Sequence, residues 1–442
     1  MPIISETLFG TRASENSITF DPEDQYHFTA RDGAKSFSIS NNTLSRGLLC
    51  IGGTGSGKTN TINQLVSQIK KTMTDEDVMI IFDTKGDFYE NFHSKDDGKD
   101  IIIGNSKEFY DLSERWNIFR EVILDGEDDS KLATNVYDVC RCLFKKYESA
   151  SQPFFVNAAR GLVAAVMIYL IRISRDFPDR ELLINNQSFV SWFTKAEMEQ
   201  YKLLSKEYSD LTNVDMYLGN GLNDQALGVL SEAIVMMKDS FLGVFGEYGN
   251  FSIRDFIRNK GGKTLFVEYD LAFGEALSQI YSLLFDLALK EALGRQDNSK
   301  NEREKNVYII IDEFKLLPYL THIDDAVNFG RSMGLKVVAG LQSMAQLYDA
   351  YGKEKGQSIA AGFSSIMAFR PNDWTTTEYL RDAFGVNYLS ETTLAGSLPS
   401  TERREGHVVE AWELSELKPG DAFVRLIDRS PFKFDFSEYK RR

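Results

Sequence analysis

Gly52-Gly53-Thr54-Gly55-Ser56-Gly57-Lys58-Thr59 fits the pattern G-x-x-x-x-G-K-[ST] at every fixed position. Glycines let backbone N–H groups curl around phosphates with no Cβ in the way. A helix beginning at about Lys58 turns the positive end of its dipole toward the same anion. In such a loop Lys58 reaches the β- and γ-phosphates, and the Thr59 hydroxyl reaches Mg²⁺. The expected nucleotide contacts are Gly53, Thr54, Gly55, Ser56, Gly57, Lys58, Thr59 and Asn60. The flanks suit the motif. Gly47 to Ile51 is a short apolar run that reads as a buried strand, and Thr59 to Lys71 carries Ile62, Leu65, Val66 and Ile69 at helical spacing. The competing reading, a glycine-rich turn that binds nothing, does not account for that strand and helix.

The loop needs a metal-holding partner. Val307-Tyr308-Ile309-Ile310-Ile311-Asp312-Glu313 is an apolar strand that delivers Asp312 at its C-terminal end. There the carboxylate can hold the Mg²⁺ water shell together with Thr59, while Glu313 orients and activates the attacking water. A catalytic Glu after the strand Asp is the habit of motor and pump ATPases. Asn-Lys-x-Asp, a guanine signature, is absent from the sequence, which favours ATP over GTP.

Outward from these motifs, Val78 to Phe82, Asp100 to Ile103, Thr264 to Tyr269, Lys336 to Ala339 and Ser365 to Phe369 read as further strands. Gly274 to Arg295 and Ile323 to Met333 read as helices between them. This alternation predicts an α/β fold with a parallel sheet. Leu132 to Tyr147, Pro153 to Ile173, Val190 to Tyr208 and Asp224 to Val244 read as helices with few strand signals, a helical block that interrupts the α/β unit. Two short stretches, Ser17 to Phe20 and Lys35 to Ile39, look like lead-in strands. Asp421 to Phe436 looks like paired strands. Gly161 to Ile173 is the longest apolar stretch, and it reads as a buried helix too short to cross a bilayer.

Composition sets the class. The 442 residues are 43% hydrophobic and 26% charged, which is ordinary for a folded chain. Net charge is −15, so any contact with nucleic acid has to be local, in a loop or inside a ring. Cys50, Cys140 and Cys142 make neither a disulfide framework nor a zinc set, which points to a reducing cytoplasm. Four scattered histidines argue against a His-based metal site.

Phe329-Gly330-Arg331-Ser332-Met333-Gly334, continuing through Leu341-Gln342-Ser343-Met344-Ala345-Gln346-Leu347 to Tyr351-Gly352, resembles the type IV coupling proteins of bacterial conjugation, in the FtsK–HerA superfamily of hexameric DNA-pumping ATPases. Asp83-Thr84-Lys85-Gly86-Asp87 is similar to that family's Asp-Pro-Lys-Gly-Glu segment. Trp116 to Phe119, Pro153 to Arg160 and Phe251 to Asp255 resemble it too. The resemblance implies a RecA-like P-loop ATPase domain with a parallel central sheet and an inserted all-α domain. The expected divisions are a β lead-in at 1–46, a first nucleotide-binding segment at 47–129, the all-α domain at 130–249, and a second nucleotide-binding segment with C-terminal strands at 250–442. It implies that Arg331 is an arginine finger entering the neighbouring subunit's site and that Gln342 is a sensor near the γ-phosphate. The implied cofactor is Mg²⁺ with ATP. The implied partners are other copies in a hexameric ring, DNA in a central channel, and relaxosome or secretion-channel proteins. Coupling proteins begin with two transmembrane helices, which the sequence pattern does not show. A soluble form, or one recruited to the membrane by a separate anchor protein, is the expectation. The rival expectations are a HerA-like translocase in repair or phage defence and an ATPase that secretes protein only.

Overall fold

Strands buried on both faces read as unbroken apolar runs, and the predicted central strands have that character. The computed structural model describes residues 3–94, 98–126, 128–148, 153–177, 183–219, 223–294, 305–395 and 398–441. Its strands are β1 (Ile3–Gly10), β2 (Tyr26–Thr29), β3 (Ser36–Ile39), β4 (Leu48–Ile51), β5 (Val78–Asp83), β6 (Asp100–Ile103), β7 (Lys263–Glu268), β8 (Val307–Ile311), β9 (Leu335–Leu341), β10 (Ser365–Ala368), β11 (Val386–Ala395), β12 (Leu398–His407), β13 (Asp421–Arg425) and β14 (Phe432–Asp435).

Nine of them form one sheet in the order β14-β13-β10-β4-β9-β8-β5-β7-β6. From β10 to β6 every neighbouring pair is parallel. β13 and β14 close the other edge as an antiparallel pair. Side chains alternate between two cores, as the two-residue period of a strand requires. Leu49, Ile51, Ile80, Ile309 and Val337 face one core, and Leu48, Cys50, Ile81, Ile310 and Val338 face the other. The helix Lys58–Thr72 covers the second face through Ile62, Leu65, Val66 and Ile69. β2 and β3 pack there as well. Phe37 lies 4.7 Å from Phe434 and 5.2 Å from Phe432, ring centre to ring centre, and so ties the lead-in to the last strand.

The helix Gly274–Leu293 lies on the first face, where Phe285 meets Phe82 with ring centres 5.4 Å apart. Its outer side carries the helical block, beginning with Asp129–Leu143. Pro153–Asp176 runs through the middle of that block, against Asp129–Leu143 and Asp224–Ser240. At 24 residues this helix is longer than the apolar run suggests, and among the described residues it alone is long and apolar enough to cross a membrane. Here 78% of its most apolar window is buried inside the protein. Arg172 within it pairs with Asp210 at 2.8 and 2.9 Å.

Some expectations need correction. Val190 to Tyr208 is two helices, Asn186–Lys195 and Met198–Glu207, because Glu197 and Gln200 form a capping box that starts the second. Ile323 to Met333 is an α-helix only to Phe329, and Gly330–Met333 tightens into a 3₁₀ turn. Ser17 to Phe20 is not a strand. Ser14 caps a 3₁₀ turn at Glu15–Ser17, and it is Tyr26–Thr29 that pairs with Ser36–Ile39. A three-stranded sheet, β1-β11-β12, was not expected at all. Arg295, the expected end of the Gly274 helix, lies outside the described residues.

Candidate nucleotide site

β4 ends at Ile51, and the chain turns at once into the loop that precedes the Lys58–Thr72 helix. Gly55 (φ 74°) and Gly57 (φ 115°) take left-handed backbone that a side chain would strain. A Cβ on Gly53 would lie 2.1 Å from Asn372 Nδ2, so the loop also depends on close approach. The Lys58 ammonium turns inward and donates to the carbonyls of Gly52 at 2.6 Å and Gly53 at 3.1 Å. Burial holds its pKa below the ordinary lysine value, against the raising influence of Glu313 and Asp312.

Asp312 follows β8, two strands from β4, with β9 between them. It is 6% exposed and accepts two hydroxyl protons. Thr59 Oγ1 donates to its Oδ1 at 3.0 Å, and Thr84 Oγ1 donates to its Oδ2 at 2.9 Å. Burial raises the Asp312 pKa, and the two hydroxyls oppose that rise. Glu313 is 7% exposed, and its Oε2 accepts from Gln342 Nε2. Gln342 Oε1 in turn accepts from Thr54 Oγ1 at 3.3 Å. A polar chain therefore runs from the phosphate loop through Gln342, just past β9, to Glu313, just past β8. Glu313 Oε1 is buried with no hydrogen-bond partner among the described residues. Burial raises the Glu313 pKa, and the Gln342 hydrogen bond and the Lys58 charge partly offset that rise.

The remaining predicted residues lie elsewhere. The Asn60 side chain faces the C-terminal tail, donating to Ser437 O at 2.9 Å and accepting from Tyr439 N–H at 2.6 Å. Arg331 stands before the first residue of β9, at the opposite end of the strand from Gln342. Its guanidinium donates to Asn42 Oδ1 at 2.9 Å, and it is exposed.

Three residues around the site, Thr84 against Asp312 and Asn372 and Gly420 against the loop, were not singled out from the sequence. Thr84 lay in view inside the Asp83–Asp87 segment. Asn372 follows β10 in a stretch with no motif. Gly420 donates its N–H to Ser56 O at 2.8 Å from a turn more than 360 residues further on, a distance that hides it from any local pattern. Asp83, next to Thr84, serves the backbone instead: its oxygens accept from the N–H groups of Lys85, Gly86, Phe88 and Tyr89.

The parallel sheet, the glycine loop at a strand end and the buried Asp-Glu pair define a RecA-like P-loop nucleotide-binding domain that carries an all-α insertion. Residues 34–417 match the family described as the type IV secretion-system coupling protein DNA-binding domain. The chain belongs to that family. The coupling protein TraD of Escherichia coli (strain K12) is 22% identical over 410 residues, covering 85% of this chain and 50% of TraD. This chain therefore spans about half the length of that relative. Among solved structures, the unbound conjugative coupling protein TrwBdeltaN70 superposes with a TM-score of 0.78 at 22% identity, covering 100% of this chain and 95% of that one. TrwB in complex with ADP and Mg²⁺ has a TM-score of 0.76 at 22% identity, covering 100% and 96%.

Proposed function

We propose that this chain is the ATP-hydrolysing motor of a type IV secretion or conjugation system, moving DNA or a protein–DNA conjugate toward the secretion channel. The observation that carries the proposal is the Thr54–Gln342–Glu313 chain beside the Asp312–Thr59 pair. It sets a water-activating carboxylate and a γ-phosphate sensor against one flank of a phosphate loop. A switch or a storage site has no need of that carboxylate.

The donor set fits Mg²⁺: a threonine hydroxyl and a carboxylate are hard oxygen ligands beside a loop of backbone N–H groups. Thr59 and Asp312 would hold Mg²⁺ and its water shell, and the ion, bound with ATP, would supply positive charge to the phosphates. Gly53 to Asn60 supply backbone N–H groups to the phosphates. Lys58 exchanges its loop carbonyls for β- and γ-oxygens. Glu313 takes the proton of the attacking water at its free Oε1, while Gln342 holds Oε2 and reports the γ-phosphate to Thr54.

Arg331 lies at the far end of β9 and acts on a neighbouring subunit's site, so the working form is a ring, a hexamer, with DNA in its channel. The nucleotide-binding domain is made of residues 47–129 and 250–442, the lead-in is 1–46, and the all-α domain at 130–249 meets relaxosome or channel proteins. The chain works on the cytoplasmic side, peripheral to the membrane where an anchor recruits it. The TrwB complex with ADP and Mg²⁺ supports the cofactor assignment.

The test is steady-state ATP hydrolysis with and without single- and double-stranded DNA, alongside solution mass. Hydrolysis stimulated by DNA in a ring-sized species, and abolished by Lys58→Ala, is expected. Wild-type rates in Lys58→Ala refute the site. A rate that DNA leaves unchanged returns the function to protein-only secretion.

A further inference from the structure

We propose that Thr84 is a positioning residue for the cation site, holding Asp312 so that one carboxylate oxygen faces Thr59 and the phosphate loop. The role rests on the nucleotide-site reading above and adds a residue to it. The β5–β8 pairing brings the two side chains within reach: Phe82 lies opposite Ile311, which sets Asp83 level with Asp312 and Thr84 one residue further along. Thr84 is 8% exposed and Asp312 is 6% exposed, so water does not stand in readily for either partner. Thr84 Oγ1 donates to Oδ2 at 2.9 Å, and Thr59 Oγ1 donates to Oδ1 at 3.0 Å. The carboxylate is thus fixed at both oxygens, and its plane cannot swing about the Cβ–Cγ bond.

Asp312 alone would be free to turn its charge toward Lys58 or to pair differently in the turn. The adjacent carboxylate, Asp83, gives no help, since both its oxygens hold backbone N–H groups of its own turn. Thr59 has to offer lone pairs to a cation while its O–H keeps donating to Asp312 Oδ1. That arrangement requires Asp312 to remain a fixed acceptor, and the second hydroxyl enforces it. Partners of metal ligands that orient them account for about 10–100-fold in metal affinity.

The experiment titrates Mg²⁺ into a fixed concentration of a fluorescent ATP analogue and reads the Mg²⁺ needed for half-maximal tightening. Binding in EDTA and melting of the ligand-free chain are measured alongside. Thr84→Val keeps the shape and removes the hydroxyl; Thr84→Ser keeps the hydroxyl. For Thr84→Val the half-maximal Mg²⁺ is expected to rise about 10-fold, with EDTA binding unchanged and Thr84→Ser close to wild type. Thr84→Ala gives the same reading if the valine variant is poorly soluble. An unchanged Mg²⁺ requirement in Thr84→Val overturns the proposal. So does equal weakening with and without Mg²⁺, which marks Thr84 as a prop of the loop. Wild type that binds nucleotide no tighter with Mg²⁺ removes the cation site and the role of Thr84 together, an outcome distinct from a defect confined to the variant.

Discussion

The two ends of the parallel sheet hold comparable charges in opposite settings. At the C-terminal ends of β4, β5, β8 and β9, Lys58, Asp312 and Glu313 are all under 10% exposed, and each has a partner within the chain. At the N-terminal end of β9, Arg331 is exposed beside Phe329, which is 68% exposed. These two line an open cleft of about 740 Å³ with Asn41 and Asn42. Buried charge costs several kcal/mol per ion unless it is paired, so the charges buried at the first end need partners within their own chain. An exposed guanidinium carries no such constraint. It remains open to solvent while donating to Asn42 Oδ1. One end pairs its charges inside the chain, and the other leaves its guanidinium exposed.

The strongest way to break this contrast is to remove Arg331. Arg331→Ala is expected to bind ATP nearly as wild type and to lose roughly 10³–10⁵ in hydrolysis, the scale of a finger supplied from outside. Arg331→Lys recovers little, because the planar fork is lost. Mixed with an equally inactive Lys58→Ala chain, it should regain activity, since an intact Lys58 site can then meet an intact Arg331 next door. A mixture that stays inactive although mixed rings form ends the claim that the exposed end completes a neighbour's site.

At the buried end, Glu313→Gln is expected to keep Mg²⁺-dependent nucleotide binding and to slow hydrolysis by about 10²–10⁴, the usual share of a general base. Loss of binding instead would make Glu313 a structural partner of Gln342. Binding to DNA gives a smaller and graded effect. It should strengthen as salt falls, through counterion release, and strengthen again on ring assembly. Tight binding by the monomer that ignores salt contradicts a channel contact.

The buried end was legible in the sequence because its chemistry is local. Gly52 to Thr59 and Val307 to Glu313 are contiguous, and unbroken runs such as Val78 to Phe82 admit little besides a buried strand. What escaped was non-local or polar. β11 and β12 carry mixed, mostly polar residues, and β1 finds β11 more than 370 residues away, so neither strand has a signal of its own. Tyr26–Thr29 is only four residues long, and its partner is fixed by the shared Phe28–Phe37 core, not by periodicity. The split at Glu197 depended on a capping box inside a run that is helical on both sides. Thr84 stood in a noticed segment, but its hydroxyl gains meaning only from the β5–β8 register. The two ends of β9 sit seven strand residues apart in sequence, and only the fold shows that Arg331 and Gln342 stand at opposite ends of an extended strand.

Between the two ends, the chain from Glu313 to Arg331 passes a joint that tests how firmly they are linked. Thr321 and His322 donate backbone N–H groups to Asp286 Oδ1 at 2.6 and 2.8 Å, and the His322 ring Nδ1 meets Oδ2 at 2.8 Å. Cys142, from the helical block, donates to the same Oδ2 at 3.4 Å. Asp286 therefore ties the block, the Gly274–Leu293 helix and the segment leading to Arg331. Burial alone lowers the His322 pKa. The hydrogen bond to Asp286 and its charge, with Asp138 nearby, outweigh burial and the opposing Lys290, and the pKa stands above the ordinary 6.5. A raised pKa in the folded chain means that folding takes up protons here. The stabilisation is complete below the unfolded value and fades as pH climbs through the folded one. Replacing His322 with Gln removes the charge and keeps a polar group. The melting difference between wild type and His322→Gln is expected to be largest near pH 6, where a hydrogen bond to a charged group contributes about 1.5–3 kcal/mol, and to shrink steadily toward about pH 9. A difference that stays flat across that range means the joint is held by the two backbone N–H groups alone, with His322 neutral. A difference that grows with pH would reverse the sign of the shift and place the imidazole in its neutral form as the stabilising one.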